Sequence, residues 1–163
     1  ITQQNAEALA AIALLPTVNP GAPVVYGAFT SNVDMKSGAP AFGTPEYVRA
    51  MQISGQMARY YNLPLRTSNA NAANAPDAQA TWESSFSLQA CQQGWSNMIY
   101  HAAGWLEGGL TASFEKFVID CEVLQQIIYT QQSIKIDDEE LALEAVREVG
   151  HDGHFFGLSL IHI

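Results

Sequence analysis

Val24-Val25-Tyr26-Gly27, Leu63-Pro64-Leu65-Arg66-Thr67-Ser68 and Asn97-Met98-Ile99-Tyr100-His101-Ala102 are three short apolar runs with the same sequel. Each enters a small, polar, Gly/Asn-rich loop, and a helical stretch follows. Strands that alternate with helices pair in parallel, because each helix carries the chain back across the sheet. The pattern therefore predicts an α/β fold whose functional residues gather in the loops after the strands' carboxyl ends.

Outward from these runs, the first helix carries Asn5–Ile12 and ends near Leu15-Pro16, before a turn cluster at Asn19–Pro23. A long loop, Ala28 to Gly43, follows the first strand. Thr44-Pro45-Glu46 starts a helix with an N-cap, a first-position proline and a first-turn acid, and Asn62 stops it. Asn69–Ala75 has no bulky side chain. Pro76-Asp77 opens the next helix, which closes at Gly94. Beyond Gly104–Thr111, apolar residues at 114, 117, 118, 121, 124, 127 and 128 read as the buried face of a long helix. A shorter helix, Asp138 to Val149, precedes Gly150-His151-Asp152-Gly153-His154.

The 163 residues suffice for one ordinary core. Sixteen acids against seven bases give a net charge of −9, which argues against a nucleic-acid partner. Cys91 and Cys121 fall at mid- or late-helix positions with no CxxC, so two buried thiols in a reducing, cytoplasmic setting are expected. No signal peptide and no apolar run long enough to span a membrane is read. A start at Ile1 inside a helix, and a stop within an apolar run at Ile163, mark the chain as a fragment in this reading.

Several chemistries are excluded. His151, Asp152 and His154 lack a companion ligand at helical spacing and read as an exposed turn, so no metal site is expected. GxSxG, Walker and dinucleotide fingerprints are absent. What remains is a set of strand-end loops rich in aromatics (Tyr26, Phe29, Tyr100, Trp105) and acids (Asp34, Asp77, Glu83, Glu107). Aromatic faces with a carboxylate suit a quaternary ammonium. Trp82 and Trp95 read as core, Asp120 and Glu122 as solvated or capping. For His101, at a strand end, a structural hydrogen-bonded role stands beside the functional one.

Three stretches carry a resemblance. Gly104-Trp105-Leu106-Glu107-Gly108-Gly109-Leu110-Thr111-Ala112-Ser113-Phe114-Glu115-Lys116-Phe117-Val118-Ile119-Asp120-Cys121-Glu122, Pro76-Asp77-Ala78-Gln79-Ala80 with Glu83, and Val149–Gly157 resemble segments of the trimethylamine methyltransferase family. The resemblance implies a (β/α)8 TIM barrel, of which this chain would be about the second half, residues 1–157 forming one domain. It implies methyl transfer from a quaternary or tertiary methylamine to the cobalt of a corrinoid carried by a separate protein, with no cofactor bound directly. The founding members hold pyrrolysine in the barrel. Asn69–Ala75, where it would be sought, has only Asn and Ala, which points to the non-pyrrolysine branch acting on amines such as glycine betaine. His151 stands where a Pro is usual, and Leu158–Ile163 reads as an adapter-like, non-native tail.

On this resemblance, His101 and Glu107 are the expected catalytic residues. Tyr26, Asn32, Asp34, Asp77, Gln79, Tyr100, Trp105 and Gly108 are the expected substrate contacts. The partners implied are a corrinoid protein and a small methylated amine, with a homo-oligomer left open. The competing readings are a non-catalytic barrel that senses a methylated amine, and an unrelated barrel lyase, although no Lys stands at a strand end.

Overall fold

The computed structural model describes residues 1–27 and 29–158. Helix α1 (Thr2–Val18) leads into strand β1 (Tyr26–Gly27), followed by a hairpin of β2 (Asn32–Val33) and β3 (Pro40–Ala41). Helix α2 (Pro45–Tyr60), strand β4 (Leu65–Ser68), helix α3 (Ala78–Gln93) and strand β5 (Met98–Tyr100) continue the alternation. A second hairpin, β6 (Trp105–Leu106) and β7 (Thr111–Ala112), frames a 3-10 turn at Glu107–Gly109. Helix α4 (Phe114–Thr130) ends the first of two units, Ile1–Thr130. The second unit begins at Gln131 and contains the short helices α5 (Asp138–Leu141) and α6 (Leu143–Val149).

Strands β1, β4 and β5 pair in parallel in that order, as the alternation predicts. Their register assigns the two faces. Tyr26 stands opposite Leu65 and Thr67 opposite Ile99, and these side chains turn toward the helices. Gly27 stands opposite Arg66, Arg66 opposite Met98 and Ser68 opposite Tyr100, on the other face, because successive residues alternate. The helix side is closed by Tyr47, Val48 and Met51 of α2 with Ala90 and Cys91 of α3.

The helix starts follow their signals. Thr44 Oγ1 accepts from the Tyr47 N–H at 3.3 Å, with Pro45 next in the chain. Asp77 accepts from the Ala80 N–H at 3.1 Å. Asn62 is left-handed (φ 55°) and stops α2.

Other expectations are corrected. Helix α1 runs past Pro16 to Val18. A proline in the last turn forfeits one hydrogen bond, while Thr17 Oγ1 donates to the Ala13 carbonyl at 2.8 Å. The long loop after β1 contains the β2–β3 hairpin. Trp82 and Trp95, expected in the core, are exposed: Trp82 stacks on Phe86, and Trp95 sits in a left-handed turn after α3. Cys91 is buried but Cys121 only half-buried.

The largest correction concerns α4. Its buried stripe is Lys116, Asp120, Val123 and Ile127, whereas Phe114, Phe117, Val118 and Ile128 of the expected apolar face are exposed. Residues at these four buried positions share one helical face, and a Lys–Asp pair can be buried on it when each charge neutralises the other. Asp120, expected to be solvated, is the acid of that pair. Glu122 is exposed.

In the second unit, the helix expected over Asp138–Val149 is broken at Ala142 (φ 47°). Neither half buries a residue, so no packing enforces a continuous helix. His151, Asp152 and His154 are exposed, as expected. Of the adapter-like tail, residues 159–163 lie outside the described residues. Among the described residues no helix is long and apolar enough to cross a membrane, and no three His, Cys, Asp or Glu side chains gather to hold a metal.

Candidate functional site

The loop at Asn69–Ala75, leaving the carboxyl end of β4, is shaped from beneath by α3. Glu83, 6% exposed, accepts the Ala72 and Ala73 N–H groups with Oε2 at 2.8 and 3.0 Å. Its Oε1 accepts the Gln79 side-chain amide at 2.8 Å. Small residues in the loop let this carboxylate reach the backbone. On the opposite side Gly43 (φ 70°) presses against it, and a Cβ there would lie 2.4 Å from Glu83 Cγ.

Ser84, the next residue, extends the network. Asn69 Nδ2 donates to Ser84 Oγ at 3.1 Å, and Ser84 Oγ donates to Asn71 Oδ1 at 3.1 Å. Lys116 Nζ donates to Ser84 Oγ at 2.7 Å and to Asp120 Oδ1 at 2.5 Å. Asp120 Oδ2 accepts the Gly104 N–H at 2.9 Å. A continuous buried chain thus ties the β4 loop to the start of the β6–β7 hairpin. Burial holds Lys116 below the usual lysine range, and Asp120 opposes that shift.

The hairpin turn lies directly on the β4 loop. The Glu107 N–H donates to the Ala73 carbonyl at 3.0 Å and the Gly108 N–H to that of Asn71 at 2.6 Å. Glu107 takes a left-handed conformation (φ 51°), uncommon outside glycine and concentrated at functional sites. Its carboxylate is exposed and accepts from Thr111 Oγ1 at 2.8 Å. Gly108 (φ 66°) rests on Phe42, 3.2 Å from where a Cβ would be.

Between this turn and the β2–β3 hairpin opens a cleft of about 510 Å³, lined by Asp34, Pro40, Ala72, Asn74, Glu107 and Gly108 among others. Asp34 is pinned by Ser37 Oγ at 2.6 Å and by the Ser37 and Lys36 N–H groups at 3.0 and 3.3 Å. Those hydrogen bonds hold its carboxyl below the usual range, so it carries full negative charge at neutral pH.

A second cluster surrounds His101, also left-handed (φ 54°), just past β5. Its Nδ1 lies 2.6 Å from Ser68 Oγ, and its ring meets Trp105 edge-on at 5.1 Å. Burial, aided by the nearby charge of Arg66, holds the imidazole below its ordinary pKa. Phe29 lies between His101 (6.4 Å) and Phe42 (5.0 Å), so a row of rings runs from this cluster to the buried Phe42 beneath Gly108.

The structure thus brings Asp34, Glu107 and Gly108 to one cleft, and His101, Tyr100 and Trp105 to the neighbouring cluster. Other expected contacts have structural duties. Asn32 accepts from Thr44 Oγ1 at 2.7 Å, Asp77 caps α3 and Gln79 steadies Glu83. Tyr26 is fully buried on the helix side against Ala58 and Leu65, and its hydroxyl donates to Asn5 Oδ1 at 2.9 Å. Its register with Leu65 turns it to that face. Lys116, Ser84 and Asn71 escaped the reading of the sequence, although Lys116 and Asp120 stand at the helical i, i+4 spacing of an ion pair.

The fold and this geometry define an α/β protein with an acid-lined cleft at the carboxyl ends of parallel strands, suited to a small cation. Comparison with known proteins narrows the class. A family profile described as "Trimethylamine methyltransferase (MTTB)" matches residues 1–160, and the chain belongs to this family. A glycine betaine methyltransferase of Desulfitobacterium hafniense (strain Y51) is 36% identical over 156 residues, covering 95% of this chain and 33% of that protein. A proline betaine:corrinoid methyltransferase of Eubacterium limosum is 35% identical over 158 residues, with the same coverage of each. Trimethylamine methyltransferase MttB of Methanosarcina barkeri is 33% identical over 159 residues, covering 97% of this chain and 32% of that protein. The chain spans about a third of the length of the curated relatives it matches.

Proposed function

We propose that this chain forms the amine-binding part of a (β/α)8-barrel methyltransferase that moves a methyl group from a quaternary or tertiary methylamine to a corrinoid on a partner protein. The convergence of Asp34, Glu107 and Gly108 on one cleft at the strand ends carries the reading. The cleft and its charge fit the amine half of the reaction. The corrinoid, held by the partner, supplies the metal that accepts the methyl group.

The work left to this chain is binding, desolvation and alignment. Asp34 and Glu107 attract the ammonium by charge, and the apolar lining of the cleft, with Pro40, Ala41 and Leu110, replaces part of its water. A methyl group on a quaternary nitrogen leaves behind a neutral amine, so no proton is needed. Holding the C–N bond in line with the acceptor then supplies the rate. His101, kept neutral by burial and by Arg66, adds no positive charge to repel the substrate.

The test uses the full-length gene product with its corrinoid protein and a panel of quaternary and tertiary amines. Demethylation of one of them, read from the corrinoid's absorbance, supports the proposal. Glu107→Gln is expected to raise the KM for that amine about tenfold, within the range for losing one charged contact. Silence across the panel would refute the proposal.

A further inference from the structure

One peptide plane joins a buried carboxylate to the cleft. The N–H of Ala72 and the carbonyl of Asn71 belong to the same peptide unit. Glu83 Oε2 accepts that N–H at 2.8 Å, and the carbonyl accepts the Gly108 N–H at 2.6 Å. The peptide is planar and stiff, so moving one end moves the other. A hydrogen bond at one end also polarises the unit and strengthens the bond at the other. A parallel path runs one residue further on. Glu83 Oε2 accepts the Ala73 N–H at 3.0 Å, and the Ala73 carbonyl accepts the Glu107 N–H at 3.0 Å.

Both walls of the cleft rest on this carboxylate. One wall is the turn at Glu107–Gly108, and the other is the β2–β3 hairpin that carries Asp34. The hairpin runs through Phe42 into Gly43, which packs so closely that a Cβ there would fall 2.5 Å from Glu83 Cβ. Burying a carboxylate is costly, and three N–H donors, from Ala72, Ala73 and the Gln79 side chain, offset that cost. The turn itself needs holding. Glu107 and Gly108 both take left-handed backbone (φ 51° and 66°), a conformation that a glutamate keeps only where its surroundings enforce it.

We propose that Glu83 is a positioning residue for the amine site: through the Asn71–Ala72 peptide it fixes the Glu107–Gly108 turn, and with it the Glu107 carboxylate, in the cleft shared with Asp34. This inference rests on the amine-methyltransferase reading and adds to it a residue that touches no substrate. Glu83 lies behind the β4 loop and lines no part of the cleft. A cation drawn by two acids feels both in full at only one separation, so a turn that drifts gives up part of the attraction. That loss falls on binding of the amine and leaves the transfer step alone.

The test compares wild type, Glu83→Gln, Glu107→Gln and the double variant, each as the full-length gene product with its corrinoid protein. In Glu83→Gln an NH2 group replaces one acceptor oxygen, so the grip on the loop or on Gln79 is lost. Hydrogen exchange at the Gly108 amide should become about tenfold faster. The KM for the amine demethylated, from a panel of glycine betaine, trimethylamine and tetramethylammonium, should rise about tenfold with kcat unchanged. Because Glu83 acts through Glu107, the double variant should show the KM of Glu107→Gln alone. A double variant whose KM rises by the product of the two single effects, about a hundredfold, would overturn the inference. An unchanged KM or an unchanged Gly108 exchange in Glu83→Gln would overturn it as well and leave Glu83 a support for the loop only. Should Glu83→Gln not fold, Gln79→Ala at an exposed position frees Oε1 and should move both readouts the same way by about two- to threefold; no movement overturns the inference. Silence of wild type with all three amines would overturn the methylamine reading alone, because the Gly108 amide reports the hold of Glu83 on the turn without any substrate.

Discussion

Removing one member of the buried Lys116–Asp120 pair should cost more than removing both. Lys116 is 0% exposed, and Asp120 accepts both its ammonium at 2.5 Å and the Gly104 N–H at 2.9 Å. Asp120→Ala leaves a buried cation with only Ser84 Oγ as partner and orphans the Gly104 N–H. Breaking a buried pair from one side costs about 3–5 kcal/mol. Lys116→Met leaves a buried carboxylate with a single N–H donor, at a similar cost. In the double variant Lys116→Met/Asp120→Ala no charge remains, and the chief loss is the acceptor of one backbone N–H, about 1–3 kcal/mol. Urea unfolding of the four full-length proteins gives the cycle, and hydrogen exchange at the Gly104 amide reports the local change. That amide should exchange faster in Asp120→Ala and in the double variant than in Lys116→Met. Single variants costing under about 1 kcal/mol, or a double variant whose cost equals the sum of the singles, would refute the account.

Three further outcomes follow from the same geometry. Because burial and Arg66 lower the His101 pKa, unfolded chains take up the proton first as pH falls below about 6.5; stability should therefore decline with pH from there down to the folded pKa, a slope that His101→Gln removes, and NMR should show the imidazole titrating below its ordinary value and moving up in Arg66→Met. Burial pushes the Cys91 thiol up to about 11, so a thiol reagent at pH 8 should label the half-buried Cys121 and reach Cys91 only on unfolding, which mass spectrometry of the labelled chain reads directly. Gly43→Ala drives a Cβ into Glu83 Cγ at a positive φ and should destabilise by about 1–3 kcal/mol in thermal unfolding, with the β4 loop amides losing exchange protection first.

What was legible depended on whether the signal was local. Thr44-Pro45-Glu46 and Pro76-Asp77 specify helix starts within four residues, and both starts formed as read. The three apolar runs specify strands, and their alternation with helices specifies parallel pairing. The face of α4 was misread because apolar spacing carries no record of buried polar partners. The face turned toward α3 is decided instead by Ser84 and the Gly104 N–H, distant in sequence. Tyr26 shows the same limit in a strand. Composition placed it among the site's aromatics, but pairing with Leu65 turned it to the helix side. The place of Asp34, Glu107 and Gly108 in loops that follow a strand or join two was legible because turn and loop signals are local.

The carboxylate of Glu83 grips the β4 loop through the N–H groups of residues 72 and 73, features that every amino acid but proline possesses. The path of that loop is thereby encoded in helix α3 as much as in the loop's own small residues. Asn74, exposed at the cleft, is free to diversify, by mutation or by design, while Ala73 is held small by its burial against Ala80 and Leu106. A scaffold built this way can exchange the group it presents to the cleft at position 74, whereas proline at 72 or 73 would remove an N–H that Glu83 accepts.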